Sequence, residues 1–277
     1  MDRTDLKYVE GPEGLQIAYA LNGPEDGPCI TLIHGWTGGI HEFDSIVPGL
    51  NAAGWRTLAI RVPGHEGSSS FESPDSYSMT ALADTHHNVV RQLAFAPTVV
   101  LGFSLGGAIA DEFAIRHPAD VSALVLLGSS GFDLVDDEAQ TDIDEAEPIV
   151  FDKGMEAHYD VWKKRTDSDG YETLGEEELV GRRAWWAQTS PNAYIYPLYG
   201  LRDKRDTLPE LIALAKPCLI VHGDGDESPV IQSSANAAAR IPSSTYRVIS
   251  NASHFAQDEN TSEFMKVLLE FMATIKG

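Results

Sequence analysis

The chain has 277 residues, enough for one large or two small domains, and its 43% hydrophobic and 9% aromatic content can bury a substantial core, which excludes a disordered or fibrous protein. Forty-two acidic against twenty basic residues leave a formal net charge of −22, a surface that repels nucleic acid and anionic lipid but not an uncharged small molecule. The polar opening Met1-Asp2-Arg3-Thr4-Asp5 and the lack of any run near the roughly eighteen apolar residues of a membrane span predict neither a secretion signal nor a membrane segment, and hence a cytoplasmic protein.

Along the chain, two short alternating runs at 6–10 and 15–21 predict a half-exposed hairpin. Short apolar runs follow at 29–33, 56–61, 98–103, 123–127, 218–222 and 245–249, each suited to a strand covered on both faces. Helix-like stretches at about 41–52, 79–93, 105–116, 229–240 and 257–275 lie between them. This alternation predicts an α/β fold with a mostly parallel, doubly wound sheet. Cys29 and Cys218 each open an apolar run and read as small buried hydrophobes.

The alternation lapses between 132 and 212. That interval opens on an acidic tract, Asp133 to Glu147, which reads as a solvated helix face, and continues with Tyr159, Trp162, Trp185, Trp186, Tyr194, Tyr196 and Tyr199. A structureless loop of that length is improbable inside a compact domain. The expected organisation is therefore a core of 1–131 and 213–277 with an inserted helical cap at 132–212. The cap aromatics suit either a substrate pocket or the joint between cap and core.

Residues 98–107, Thr-Val-Val-Leu-Gly-Phe-Ser-Leu-Gly-Gly, run a buried strand into a sharp turn and a helix. Gly102 and Gly106 flank Ser104 in a G-x-S-x-G arrangement, which fits a nucleophile lifted above the sheet on a strained turn. The turn leaves the backbone N–H of Leu105 free at a helix N-terminus, where it can face an oxyanion. A serine nucleophile needs a base and the base an orienting acid, in the order Ser, acid, His along this architecture. The loop after 218–222 offers Asp224, Asp226 and Glu227 as acids, and the loop after 245–249 offers His254. The loop after 29–33, His34-Gly35-Trp36-Thr37-Gly38-Gly39, supplies the N–H of Trp36 as a second oxyanion donor, with its indole beside the acyl pocket. His65 reads as a structural loop residue or a pocket residue, and His86 and His87 as surface residues of a helix. The spacing of the nine histidines suggests no metal site.

Together, His34-Gly35-Trp36, Gly102-Phe103-Ser104-Leu105-Gly106-Gly107, Gly223-x-x-Asp226 and Asn251-Ala252-Ser253-His254 resemble the α/β-hydrolase superfamily, across nearly the whole chain. The pairing of His-Gly-Trp with Gly-Phe-Ser-x-Gly-Gly is similar to its carboxylesterase and non-haem haloperoxidase (perhydrolase) branch. This resemblance, with the spacing of the acid loop, selects Asp226. It implies a cofactor-free serine hydrolase acting on small to medium esters or lactones through Ser104, Asp226 and His254. Perhydrolysis or C–C bond hydrolysis by the same triad, or ligand binding without catalysis, are the alternatives. Trp36, Phe103, Trp185, Trp186, Tyr194 and Phe255 are the candidate substrate contacts, and a monomer or homodimer is expected. One departure is Arg61-Val62-Pro63-Gly64-His65-Glu66-Gly67-Ser68, where many relatives carry Asp in place of Arg61 and no residue like Glu66 between the glycines.

Overall fold

The computed structural model describes residues 6–65, 67–129, 137–169 and 183–275. Glu66 and the start of the acidic tract, Asp133 to Asp136, lie outside them. Eight strands form one sheet: β1 (Lys7–Glu10), β2 (Gln16–Asn22), β3 (Cys29–Ile33), β4 (Arg56–Ile60), β5 (Thr98–Phe103), β6 (Val121–Leu127), β7 (Cys218–Gly223) and β8 (Ser244–Ile249). Their order is β1-β2-β4-β3-β5-β6-β7-β8. β1 pairs antiparallel with β2, and β2 antiparallel with β4, while every pair from β4 onward is parallel. The predicted doubly wound sheet is the observed one.

Parallel neighbours need crossovers, and helices supply them: α1 (Val47–Ala52), α2 (Met79–Gln92), α3 (Leu105–Arg116), then α4 (Asp137–Lys153), α5 (Met155–Asp169), α6 (Pro191–Arg202) and α7 (Leu208–Leu214), and finally α8 (Ser228–Arg240), α9 (Ala256–Glu259) and α10 (Thr261–Ile275). Successive residues of the central strands point to opposite faces, and the core divides accordingly. Val100, Leu124, Leu126 and Ile220 pack with Leu82, Val89, Ile109 and Phe113 of α2 and α3. Val99, Leu101, Val125 and Leu219 pack on the other face with Leu50, Phe264, Leu268 and Phe271 of α1 and α10. Cys218 opens β7 buried and Cys29 opens β3 half-buried, and both are free thiols.

Two predicted helices are broken in the structure. The stretch 41–52 is a 3-10 turn at Ile40–Phe43 and then α1, because Pro48 lacks the N–H that a helix continuing from residue 44 would need and is accommodated only in a first turn. The stretch 257–275 divides at Asn260, whose backbone leaves the helical region (φ −137°, ψ 62°) and whose side chain caps α10 by accepting from Glu263 N–H. His86, expected at the surface, is fully buried. It lies on the stripe Met79, Leu82, Ala83, His86, Val90, the 3–4 spacing that α2 turns toward the core.

Between β6 and β7, helices α4, α5 and α6 enclose a small core of their own, with Ala146, Val150, Met155, Tyr159, Trp186, Tyr194 and Ile195. Ile143, Ala146 and Val150 turn inward from α4 while Asp144 and Glu145 stay exposed. Leu208 and Leu211 of α7 belong instead to the main core, beside α3.

Candidate active site

Ser104 stands between β5 and α3 with φ 52° and ψ −119°, a conformation costly for any residue with a Cβ. The sequence around it makes that turn possible. A Cβ at Gly102 would lie 2.1 Å from Gly106 O, and one at Gly106 would lie 2.1 Å from Ile33 O, so only glycine lets strand, turn and helix approach this closely. Ser104 N–H donates to Leu127 O (2.9 Å), which pins the turn to the end of β6. The N–H of Leu105, first residue of α3, has no intrahelical acceptor and opens onto the same end of the sheet.

His254 follows β8. Its ring faces the backbone immediately beyond Leu127: a Cβ at Gly128 would lie 3.4 Å from both Cε1 and Nδ1 of the imidazole. Phe103, next to the serine, has its ring centroid 5.1 Å from that of His254. Serine and histidine thus each stand against the end of β6. On its far side, His254 Nδ1 hydrogen-bonds Asp226 Oδ1 at 2.9 Å, and the same oxygen accepts the Glu227 N–H at 2.8 Å. The Asp226 carboxylate is wholly buried while the histidine keeps partial exposure. Burial pulls the His254 pKa down, but the hydrogen bond and charge of Asp226, with the charges of Glu227 and Glu42, outweigh it and leave it above the ordinary histidine value. The other two acids of the loop do different things. Asp224 accepts the Ala252 N–H (3.2 Å) as a loop staple, and Glu227 is exposed.

The loop after β3 is held at both ends of Gly35. His34 Nε2 accepts the Val62 N–H (2.9 Å), so Nδ1 carries the proton and donates to Gly35 O (2.8 Å). Gly35 N–H donates to Glu42 Oε2 (2.8 Å). The Gly35–Trp36 peptide is trans, so with its carbonyl turned to His34 its N–H points the opposite way. Gly35 also abuts the serine, a Cβ there falling 3.3 Å from Ser104 Cβ. Glu42 is the residue that sequence reasoning missed. The one available signal was its spacing from Gly38, where a Cβ would lie 2.0 Å from Glu42 Oε1, so the glycine makes room for the carboxylate.

The predicted aromatic contacts separate into two groups. Trp36, Phe255 and Trp185 keep partial exposure. Phe103 is buried beneath His254 and Phe255, and Trp186 and Tyr194 are buried in the small core of the inserted helices, with Tyr159 and Trp162. Trp36 links the two regions: its ring lies 4.6 Å from Tyr194 and its Nε1–H donates to Tyr194 O (2.8 Å). His41 stacks on Trp185 at 3.6 Å as a second clasp.

Beneath the site lie three buried histidines, His34, His65 and His86. His65 meets His34 edge-on at 4.9 Å and fills structure rather than facing solvent. Burial pulls His65 and His86 to about 4 and His34 well below its ordinary value. Between pH 6.5 and 4 the native chain therefore binds fewer protons at these rings than the unfolded chain. Their contribution is intact above 6.5 and drains as pH falls, by about 3 kcal/mol each for His65 and His86. Buried Asp111, whose pKa burial raises well above the carboxylate range, works in the opposite direction. His86→Leu isolates the effect: in urea unfolding the dependence of stability on pH is expected to be shallower than wild type by at most about 1.4 kcal/mol per unit, reached between pH 6 and 4.5 and fading above 6.5. Parallel slopes would show that His86 is protonated in the folded protein.

Among the described residues no group of three or more His, Cys, Asp and Glu could hold a metal ion, and no helix is long and apolar enough to cross a membrane. Comparison with known proteins agrees with the fold. A profile of the alpha/beta hydrolase fold matches residues 28–261. Over 106 residues the chain is 40% identical to a pimeloyl-[acyl-carrier protein] methyl ester esterase of Neisseria meningitidis, a match covering 38% of this chain and 38% of that protein, so the chain spans about two fifths of that relative's length. A carboxylesterase structure from Nitrososphaera gargenis superposes with a TM-score of 0.85 at 19% identity over 98% of this chain and 99% of that one. A bromoperoxidase from Bacillus anthracis does so with a TM-score of 0.83 at 22% identity, over 96% and 100%. At such identities the structural likeness speaks for the fold alone.

Proposed function

The chain belongs to the alpha/beta hydrolase fold family, and from that premise we propose that it is a serine hydrolase that cleaves carboxylic esters or lactones of small to medium, largely apolar substrates through an acyl-enzyme. The observation that carries this reading is a serine on a strained strand-to-helix turn standing at the same end of β6 as a histidine hydrogen-bonded to a buried carboxylate.

In the first step His254 takes the Ser104 proton on Nε2 as the serine oxygen bonds to the substrate's carbonyl carbon. The N–H groups of Leu105 and Trp36 receive the oxyanion. The tetrahedral adduct collapses as His254 returns the proton to the leaving alcohol oxygen. Water then repeats the sequence on the acyl-enzyme, releasing the acid and restoring the serine. Asp226 keeps the imidazole in the tautomer with its proton on Nδ1 and stabilises the imidazolium. Apolar rings around the base, Phe103 and Phe255, together with Trp36, favour an uncharged substrate, as does the acidic surface.

The test is pre-steady-state turnover of p-nitrophenyl esters of graded acyl length. The expected result is a burst of nitrophenol matching the enzyme concentration, then a slower steady rate, with short to medium chains preferred. If neither these esters nor a panel of lactones turn over above background, the reading is wrong.

A further inference from the structure

The hole loop contains a buried carboxylate that the mechanism above does not use. Glu42 is 7% exposed, and its side chain reaches back seven residues to accept the N–H of Gly35. Gly35 O is held on its other side by His34 Nδ1 (2.8 Å) and by the Gly38 N–H (3.2 Å). The two peptides that meet at Gly35 are thereby both fixed, His34–Gly35 through its N–H and Gly35–Trp36 through its carbonyl. Rotating the Gly35–Trp36 peptide would break both bonds to Gly35 O, and the Glu42 bond holds the preceding peptide, and with it the Gly35 Cα about which that rotation turns. Gly38 is part of the same device, because any side chain there would occupy the space of the Glu42 carboxyl group.

We propose that Glu42 is a positioning residue for the reaction: by holding Gly35 N–H it keeps the Trp36 N–H aimed at the oxyanion formed on Ser104. This rests on the hydrolase reading above. An oxyanion donor acts only if it is already oriented when charge develops, since turning it during the reaction would consume the stabilisation it provides. A backbone N–H in a glycine-rich loop has no stiffness of its own, so an anchor is required. The carboxylate also lies within electrostatic reach of the base. The charges and groups that act on His254 are Asp226, Glu227 and Glu42, and all three favour its protonated form. Arg61, whose Nη1 would lie 3.3 Å from a Cβ at Gly39, is the cation on the neighbouring segment.

The test compares wild type with Glu42→Ala, Glu42→Gln and Gly38→Ala, reading kcat and KM for p-nitrophenyl butyrate across pH, the rate of Ser104 phosphonylation by a fluorophosphonate, and thermal unfolding. Glu42→Ala is expected to lower kcat by about a hundredfold to a thousandfold with KM within about threefold, the size of effect seen when one oxyanion donor is lost. Gly38→Ala, which displaces the carboxyl group without removing it, is expected to do the same. Glu42→Gln keeps an acceptor for Gly35 and is expected to restore kcat to within about tenfold of wild type, while its acid limb moves to lower pH. The proposal is overturned if folded Glu42→Ala or Gly38→Ala keeps kcat within about threefold. It is equally overturned if Glu42→Gln matches Glu42→Ala with an unmoved acid limb, since the residue would then serve stability alone. If Glu42→Ala does not fold, Glu42→Gln and Gly38→Ala decide. Wild type that is phosphonylated on Ser104 leaves the hydrolase reading standing whatever the variants do, and wild type with neither turnover nor labelling removes that reading and this proposal together.

Discussion

Ser104→Ala is expected to lower kcat for any ester substrate by about a millionfold while leaving the protein folded. The size follows from the mechanism: without the hydroxyl no acyl-enzyme forms, and what remains is water attacking a carbonyl held near two oriented N–H groups. The stability side of the prediction follows from the local structure. Among the described residues the Ser104 hydroxyl makes no hydrogen bond, and the turn is pinned through backbone groups, Ser104 N–H to Leu127 O and Gly107 N–H to Ser104 O (2.8 Å). Alanine keeps all of these. Glycine at the same position should be equally inactive but more stable by about 1 kcal/mol or more, because it removes the Cβ that makes φ 52° unfavourable. Steady-state kinetics and urea unfolding of the two variants check both statements, and an active Ser104→Ala or a glycine variant less stable than wild type would contradict them.

Asp226→Asn is expected to lower kcat by about ten-thousandfold with little change in KM. The asparagine occupies the same space, yet its amide N–H₂ can donate to His254 Nδ1 where the carboxylate accepted from it. That places the imidazole proton on Nε2, the nitrogen that must take the serine proton. The pH profile provides a second readout. His254 must be neutral to act as base, so wild-type activity falls as pH drops through its pKa, which lies above the ordinary histidine value. Asp226 provides the largest of the influences that raise it, so the acid limb of the variant should move to lower pH even as the plateau falls. A rate-versus-pH series on both proteins measures the two effects together. A variant with an unmoved limb would mean that the limb belongs to another group.

The sheet and the turn at Ser104 were legible because each depends on local pattern: apolar runs of strand length, and glycines at fixed offsets. The choice of Asp226 over Asp224 and Glu227 drew on resemblance, and the geometry that separates them, one carboxylate turned to His254 and another to Ala252 N–H, depends on how two loops meet. Glu42 was illegible for the same reason. It stands in the polar-looking segment Ile40-His41-Glu42-Phe43, and its burial is set by a glycine four residues earlier and by the end of β3. His86 could have been placed from the apolar stripe of α2, since its position follows the helical period even though its chemistry argues for water. Aromatic residues carried the least positional information: Trp185 and Trp186 are adjacent, but one stacks on His41 beside the hole loop and the other fills the interior of the inserted helices.

The most direct test of the whole account is intact-mass analysis after exposure to an alkyl fluorophosphonate, wild type beside Ser104→Ala. A single adduct on wild type, located by peptide mapping to Ser104 and missing from the variant, is the predicted result. Folded wild type that takes no adduct, or a Ser104→Ala variant that takes one as readily, would contradict it.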